Sequence, residues 1–408
     1  MILDIINKKR LGLELSYDEI DEAFNGYLKG DVESYQMSAL LMAICINGMS
    51  DQETFDLTDI FIKSGEILDF SFIDGIKVDK HSTGGIGDKT TLVITPIAAA
   101  CGIPVIKMSG RGLGYTGGTI DKLESIKGFR IDLDDDEIKK QVEEIGAVMT
   151  GQTKELVPMD KAIYSLRDVT STVSSIPLIA SSIMSKKIAA GADKIVIDVK
   201  VGNGALISNY EDADELSILM EKIGEKYNRK VITIVSNMNI PLGHAVGNSL
   251  EVMEAIKVLK GEEEDNNFVK LCNKLASAMV CLGKEIRLEE AKKLVSEVLE
   301  SGKAYKKFLE IVEYQKGDIN SLKVNPKKFT IKATDSGTIT NIDALKVGKL
   351  SLLAGAGKLQ EDEQIDYTAG VYLEKLVGEE VTKGEVIATV YTDRDIYLAD
   401  CDGIFTIN

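Results

Sequence analysis

Lys80-His81-Ser82-Thr83-Gly84-Gly85-Ile86-Gly87-Asp88-Lys89 and, further along, Ser109-Gly110-Arg111-Gly112-Leu113-Gly114-Tyr115-Thr116-Gly117-Gly118-Thr119 decide the reading of this chain. Each is a glycine-rich box that also carries hydroxyls and basic side chains. Glycine lets the backbone turn tightly and leaves its N–H groups unshielded. The Ser and Thr side chains add donors, and Lys80 adds a point charge. Two such loops in tandem suit an anion, and phosphate is the natural one. The first box also holds His81, whose side chain can exchange a proton near neutral pH.

The boxes lie in a region of alternating patterns. From about Gly75, apolar strand-like runs at 103–108, 195–201 and 231–235 alternate with helical segments, which argues for a parallel α/β sheet. Both boxes fall at strand-to-helix turns, where ligands bind in open α/β sheets. Upstream, Ser16-Tyr17-Asp18-Glu19 and Ser50-Asp51-Gln52-Glu53 are capping boxes. Between them Met37, Leu40, Leu41 and Ile44 recur at helical spacing, and Gly26, Gly30 and Gly48 punctuate helix ends. A further helical piece at 161–190 interrupts the α/β pattern. It reads as a return to the N-terminal helices, with a crossover helix of the sheet as the alternative. After Pro326 short β-rich runs are broken by glycines, and 377–385 resembles the hairpins of lipoyl-carrier-like folds, read here as structural. The expected fold class is α/β. It comprises a discontinuous helical N-terminal domain (1–66 plus 160–191), a larger α/β domain with a mainly parallel sheet (67–159 plus 192–328), and a small β-rich C-terminal domain (329–408).

At 408 residues the chain is long enough for two or three domains with a large core. Its net charge of -17 disfavours nucleic acid and anionic membrane as partners, so an anionic substrate needs a local basic pocket. The acidic runs 132–137 and 262–265 read as solvated faces or helix starts. Cys45, Cys101, Cys272, Cys281 and Cys401 are scattered without a C-x-x-C pair, which suggests neither zinc nor a disulfide framework. Reduced thiols, no apparent signal peptide and no bilayer-length apolar run together give a cytoplasmic expectation.

Gly112 to Gly117 satisfies G-x-G-x-x-G, so a nicotinamide-dependent oxidoreductase is one alternative. The match comes after the first box rather than at the start of the α/β region, which counts against it. A phosphate loop of the Gly-Lys-Ser/Thr type fails in the first box, because Asp88 intervenes between Gly87 and Lys89.

Taken together, the boxes resemble the signature of the thymidine/pyrimidine-nucleoside phosphorylase family. The likeness extends over Lys107-Met108-Ser109-Gly110-Arg111-Gly112, Thr119-Ile120-Asp121-Lys122-Leu123-Glu124, Tyr164-Ser165-Leu166-Arg167-Asp168-Val169 and Ser181-Ser182-Ile183-Met184-Ser185-Lys186-Lys187. The resemblance implies reversible phosphorolysis of pyrimidine nucleosides (uridine, thymidine, deoxyuridine) to free base and (deoxy)ribose 1-phosphate. Inorganic phosphate is then the co-substrate, with no organic cofactor. It implies a phosphate cradle of Lys80, Ser82, Thr91, Lys107, Ser109 and Thr119, and a base site of His81, Arg167, Ser182 and Lys186. His81, Arg167 and Lys186 are the expected catalytic residues. The cations would stabilise charge on the departing base, and His81 would bond or protonate it. Ser182 and Lys186, four apart, share one helix face. The resemblance also implies a potassium site at Gly87, Lys89, Leu242, Ala245 and Glu254. Lys89 departs from a small or hydroxyl residue there, and its ammonium offers a substitute for the ion. Tyr115 stands where the family has His, and it fills a supporting role. His244 reads as structural. A homodimer through the helical domain, and domain closure to bring phosphate to C1′, are further implications. A strict thymidine phosphorylase and a non-catalytic binding module remain as alternatives. Lys107-Met108-Ser109 is more like the broad pyrimidine type.

Overall fold

The structure, a computed structural model, describes every residue except Leu113, Thr116, Lys154 and Glu361, and leaves the side chain of Leu398 undescribed. Two positions of the second box, Leu113 and Thr116, thus lie outside the described residues.

Four helices open the chain: α1 (Ile2–Arg10), α2 (Tyr17–Lys29), α3 (Ser34–Asn47) and α4 (Asp51–Lys63). Both capping boxes form. Ser16 and Ser50 accept the N–H of Glu19 and Glu53, and each carboxylate accepts its cap's N–H in return. The two boxes then differ. Glu19 pairs with Lys8 at the surface, whereas the Glu53 carboxylate is buried. Glu53 accepts from Lys9 Nζ at 2.7 Å and from the Leu15 N–H at 2.8 Å, so it ties α1 to α4. Met37, Leu40, Leu41 and Ile44 form the buried face of α3. Gly30 ends α2 in the left-handed region, but Gly26 lies inside that helix. A Cβ on Gly26 would stand 2.8 Å from Val32 Cγ2, so close packing, rather than termination, calls for glycine there.

The α/β region follows with β1 (Val78–Ser82), α5 (Thr90–Ala100), β2 (Val105–Ser109), α6 (Thr119–Glu124), α7 (Asp135–Ile145) and β3 (Ala147–Gly151). Next come α8 (Pro158–Asp168), α9 (Ile176–Ala189), β4 (Lys194–Val201), α10 (Tyr210–Lys226) and β5 (Lys230–Asn237). Then β6 (Ala245–Val246) leads into α11 (Asn248–Lys260), α12 (Asn267–Lys284), α13 (Leu288–Glu300) and α14 (Lys303–Tyr314). The C-terminal part holds β7 (Lys328–Lys332), β8 (Gly337–Ile342), α15 (Ala344–Ser351), β9 (Gly370–Leu373), β10 (Glu380–Val381), β11 (Val386–Tyr391) and β12 (Phe405–Ile407).

By internal packing the chain divides into two units. The first comprises Met1–Phe72, Thr153–Ile197 and Asn209–Thr233. Here α9 packs on α4, and Thr58 donates to Ser181 Oγ at 3.1 Å in the seam. The second comprises Ile73–Gln152, Asp198–Ser208 and Ile234–Asn408. β2 and β3 run parallel, with Val105 opposite Ala147, and every residue of β2 is buried. Such continuous burial is what a parallel sheet covered on both faces requires. β1, β4 and β5 pair in the order β1-β4-β5. The C-terminal strands form antiparallel sheets in the orders β6-β9-β11-β7 and β10-β8-β12. The architecture is therefore helical at the N-terminus, α/β with parallel strands in its larger part, and strand-rich at the end.

The two capping boxes should respond unequally to truncation. Glu53→Ala leaves the Lys9 ammonium buried without its carboxylate and should cost about 3–5 kcal/mol. Glu19→Ala loses a cap and an exposed pair, worth about 1 kcal/mol. Thermal melts of the two variants check this, and equal shifts would contradict the tie between α1 and α4.

Candidate active site

The first glycine box connects β1 to α5, and the second connects β2 to α6. Most of the expected phosphate residues sit at these strand ends and first helical turns. Lys80 is buried on β1, and its Nζ donates to Thr90 Oγ1 at 2.6 Å. Ser82 donates to Asp88 Oδ2 at 2.5 Å and accepts the Gly84 N–H. Thr91 is buried in the first turn of α5. Lys107 on β2 donates to the Met108 carbonyl at 3.1 Å and lies 3.6 Å from Asp79 Oδ1 of β1, which brings the two strands together. Thr119 is the first residue of α6. Ser109 is different in kind: its hydroxyl is buried and has no hydrogen-bond partner among the described residues. A buried unpaired hydroxyl at the head of a glycine turn is costly unless something fills its bond.

Beneath the first box lies a charge quartet that the apolar reading of 195–201 passed over. Asp198 and Lys200, two apart on β4, point the same way and are fully buried. Lys200 Nζ is 2.5 Å from Asp198 Oδ2 and 3.7 Å from Asp88 Oδ2, and Lys80 Nζ is 3.7 Å from Asp198. Ser236 donates to the other Asp198 oxygen at 2.6 Å. Burial alone would raise the Asp88 carboxyl, but the ammonium groups of Lys200 and Lys80 hold it well below the usual carboxylate range. Burial likewise opposes the charge on Lys200, and Asp198 and Asp88 overcome it and raise its pKa.

Each box is also braced by a lysine paired to α11. Lys122 Nζ donates to the Gly117 carbonyl at 2.6 Å and lies 3.3 Å from Glu251 Oε2. Burial pushes the Glu251 carboxyl up despite Lys122. Lys89 Nζ donates to Leu242 O at 2.5 Å and Ala245 O at 2.9 Å, and lies 2.7 Å from Glu254 Oε2. These oxygens are the ones through which the resemblance implies a potassium ion. The residues do not fit one, because the Lys89 ammonium already sits on all three. Gly87 is needed beside it, since its φ is +72° and a Cβ would stand 2.9 Å from Leu242 O.

The expected base residues divide between the units. His81 lies on β1 with Lys80 and Ser82. Arg167, Ser182 and Lys186 belong to the helical unit, and there they gather. Arg167 is buried, not a surface charge. Its three nitrogens donate to the carbonyls of Thr172, Val173 and Leu178 at 3.2, 2.8 and 3.2 Å. A guanidinium has five N–H groups, so this anchoring leaves donors to spare. Lys186 Nζ donates to Ser182 Oγ at 3.0 Å and to Asp160 Oδ2 at 2.8 Å. Tyr164 joins the two cations, its ring 5.6 Å from Arg167 and 5.9 Å from Lys186. Asp160 was missed from sequence, and its Oδ1 is buried without a partner among the described residues. The available signal was an acid placed near the start of the helix that carries Arg167 in its last turn. Tyr115 is largely exposed, with Lys349 5.9 Å from its ring. His244 Nδ1 bonds to Leu373 O at 2.5 Å and its ring stacks on Tyr372, a structural placement.

Comparison with known proteins identifies the family. Residues 74–305 match the model of the glycosyl transferase family, a/b domain, and residues 3–65 match its helical bundle domain. Residues 338–401 match the pyrimidine nucleoside phosphorylase C-terminal domain. The chain therefore belongs to the glycosyl transferase family, among the members that carry this C-terminal domain. It is 49% identical over 402 residues to a pyrimidine-nucleoside phosphorylase of Bacillus subtilis (strain 168), covering 97% of this chain and 92% of that one. It is 48% identical over 401 residues to the pyrimidine-nucleoside phosphorylase of Geobacillus stearothermophilus, with the same coverage. Among solved structures, anthranilate phosphoribosyltransferase from Thermus thermophilus shares the fold, with a TM-score of 0.62 at 20% identity over 77% of this chain and all of that one.

The quartet makes a pH prediction. The Asp88 carboxyl is depressed in the folded protein, so its stabilisation is full above the unfolded value near 3.8 and fades as pH falls through the acid range. Asp88→Asn should destabilise the protein by about 3–5 kcal/mol at pH 7. The gap to the native protein should hold from pH 7 to about 5 and narrow only as melts are taken below about 4, towards about pH 2. A gap independent of pH would contradict the ionised, buried Asp88.

Proposed function

We propose that this chain catalyses the reversible phosphorolysis of pyrimidine nucleosides, with inorganic phosphate as co-substrate and no organic cofactor. A phosphate oxygen attacks C1′ while the C1′–N1 bond breaks, giving a pentose 1-phosphate and a base anion that takes up a proton. The observation that carries the reading is the buried Ser109 hydroxyl, unpartnered among the described residues, at the end of β2 where the second glycine box begins. A phosphate oxygen supplies the acceptor it lacks.

The helical unit is suited to the other substrate. A pyrimidine imide offers carbonyl oxygens on either side of an N–H. Arg167, Lys186 and the Ser182 hydroxyl supply donors for the oxygens, and the orphaned Asp160 Oδ1 supplies an acceptor for the N–H. The two cations favour negative charge on the base as the glycosidic bond breaks. His81 is the proton donor to the leaving base. The relatives, named for pyrimidine nucleosides in general, favour broad specificity over strict use of thymidine.

The assay supplies uridine or thymidine and follows free base. Release should require phosphate and be indifferent to NAD. Ser109→Ala should raise the KM for phosphate about tenfold or more, the loss expected for a hydrogen bond to a charged group, and leave the KM for nucleoside unchanged. Base release without phosphate, or equal effects on both constants, would overturn the proposal.

The active form is a homodimer through the helical unit. Supporting this, Tyr35, Met42 and Ile46 lie on one face of α3 and are exposed, Ile46 at 74%. Light scattering should give twice the 44.4 kDa chain mass for the native protein and the single mass for Ile46→Glu; a native monomer would contradict it.

A further inference from the structure

The Lys89 side chain occupies an oxygen-lined cage, and every feature of that cage suits a small monovalent cation. Its walls are two backbone carbonyls, Leu242 O and Ala245 O, and the carboxylate of Glu254. Glu254 is itself fixed: Oε1 accepts the His244 N–H at 2.8 Å and Oε2 accepts the Ala245 N–H at 2.7 Å. The three oxygens match the three N–H bonds of an ammonium group. The Phe268 ring closes the cage, 4.6 Å from Nζ. Lys89 and Glu254 are each about 1% exposed, so the ammonium has no contact with bulk water.

The cage lies beside the first glycine box. Leu242 donates its N–H to the Ile86 carbonyl at 3.2 Å, and the Lys89 N–H bonds back to Gly87 O at 3.0 Å. The cation therefore fixes the turn that delivers Asp88, Thr90 and Thr91, and through Asp88 it fixes Ser82.

We propose that Lys89 is a tethered cation, a positioning residue that holds the 242–245 segment against the first box. It makes the enzyme independent of alkali-metal ions. In this account the cage retains its affinity for a free monovalent ion, and only the covalent ammonium keeps one out. Carbonyl oxygens can replace the hydration shell of potassium, and potassium carries the same single charge that Glu254 needs opposite it. Removing the ammonium should convert a metal-independent enzyme into a potassium-dependent one.

The test compares native protein and Lys89→Ser in potassium, sodium or choline chloride at equal ionic strength. Native melting temperature and kcat/KM should be the same in all three, within about twofold in rate, a spread worth well under 1 kcal/mol. Lys89→Ser should melt at least about 3 °C higher in potassium than in choline, the signature of an ion bound by the folded state alone. Its kcat/KM for phosphate should fall about tenfold or more in choline and recover in potassium, as one unpaired buried carboxylate predicts. Lys89→Met, which fills the cage with an apolar tail, should be impaired in every salt. The activity arm rests on the phosphorolysis proposed above, whereas the melting arm does not. A native enzyme that loses stability or rate in choline overturns the inference. So does a Lys89→Ser chain that melts identically in all salts, or one that fails to fold in potassium as it does in choline.

Discussion

Two buried carboxylates, Glu251 and Glu254, stand nearly one turn apart on α11, and each faces an ammonium group. Through Lys122 the first reaches the carbonyl of Gly117, in the second glycine box. Through Lys89 the second reaches the segment that abuts the first box. A single helix thereby sets the position of both glycine-rich turns. Glycine-rich loops have much conformational entropy to lose, and a loop that must meet a ligand with several donors at once has to be held from behind. Charge-assisted bonds in a water-free interior do this more firmly than neutral ones.

The same logic explains how a chain of net charge -17 can be expected to take a phosphate. Lys80 and Lys200 are matched by Asp88 and Asp198, so the quartet under the first box is close to neutral. It is therefore a scaffold more than an attractor. Under the proposed function, selectivity for the anion falls to directional donors, namely loop amides and hydroxyls such as Ser109, which has no partner among the described residues. On the helical side the pattern repeats. Arg167 is anchored on three carbonyls and Lys186 on Asp160 and Ser182, so both cations are pre-placed with donors to spare. Under the proposed function, preorganised charge of this kind would cost little reorganisation as the base departs.

Much of this is legible in the sequence where local chemistry writes it. The capping boxes at Ser16 and Ser50 form because both halves of each lie within one turn. The two glycine boxes fall at strand-to-helix turns, as glycine clusters after apolar runs suggest. The lysine at position 89 stands out because it breaks a resemblance. The rest is unreadable because it depends on distant partners. Asp198 and Lys200 look like interruptions of an apolar strand until Asp88 and Lys80 are set beside them. Glu251, Lys122 and Asp160 give no periodic signal, since their roles are fixed by residues well over a turn away in sequence. Gly26 reads as a helix end because sequence shows the absent side chain but not the Val32 methyl that excludes it.

The proposed function implies a division of labour: lysines paired to α11 brace the loops, and hydroxyls and amides hold the anion. A crystal structure of the native protein with phosphate bound tests it most directly. The anion should lie within hydrogen-bond distance of Ser109 Oγ, with Lys89 Nζ still on Leu242 O, Ala245 O and Glu254. Phosphate bound away from Ser109, or with the Lys89 ammonium withdrawn from its cage to ligate it, would contradict the account.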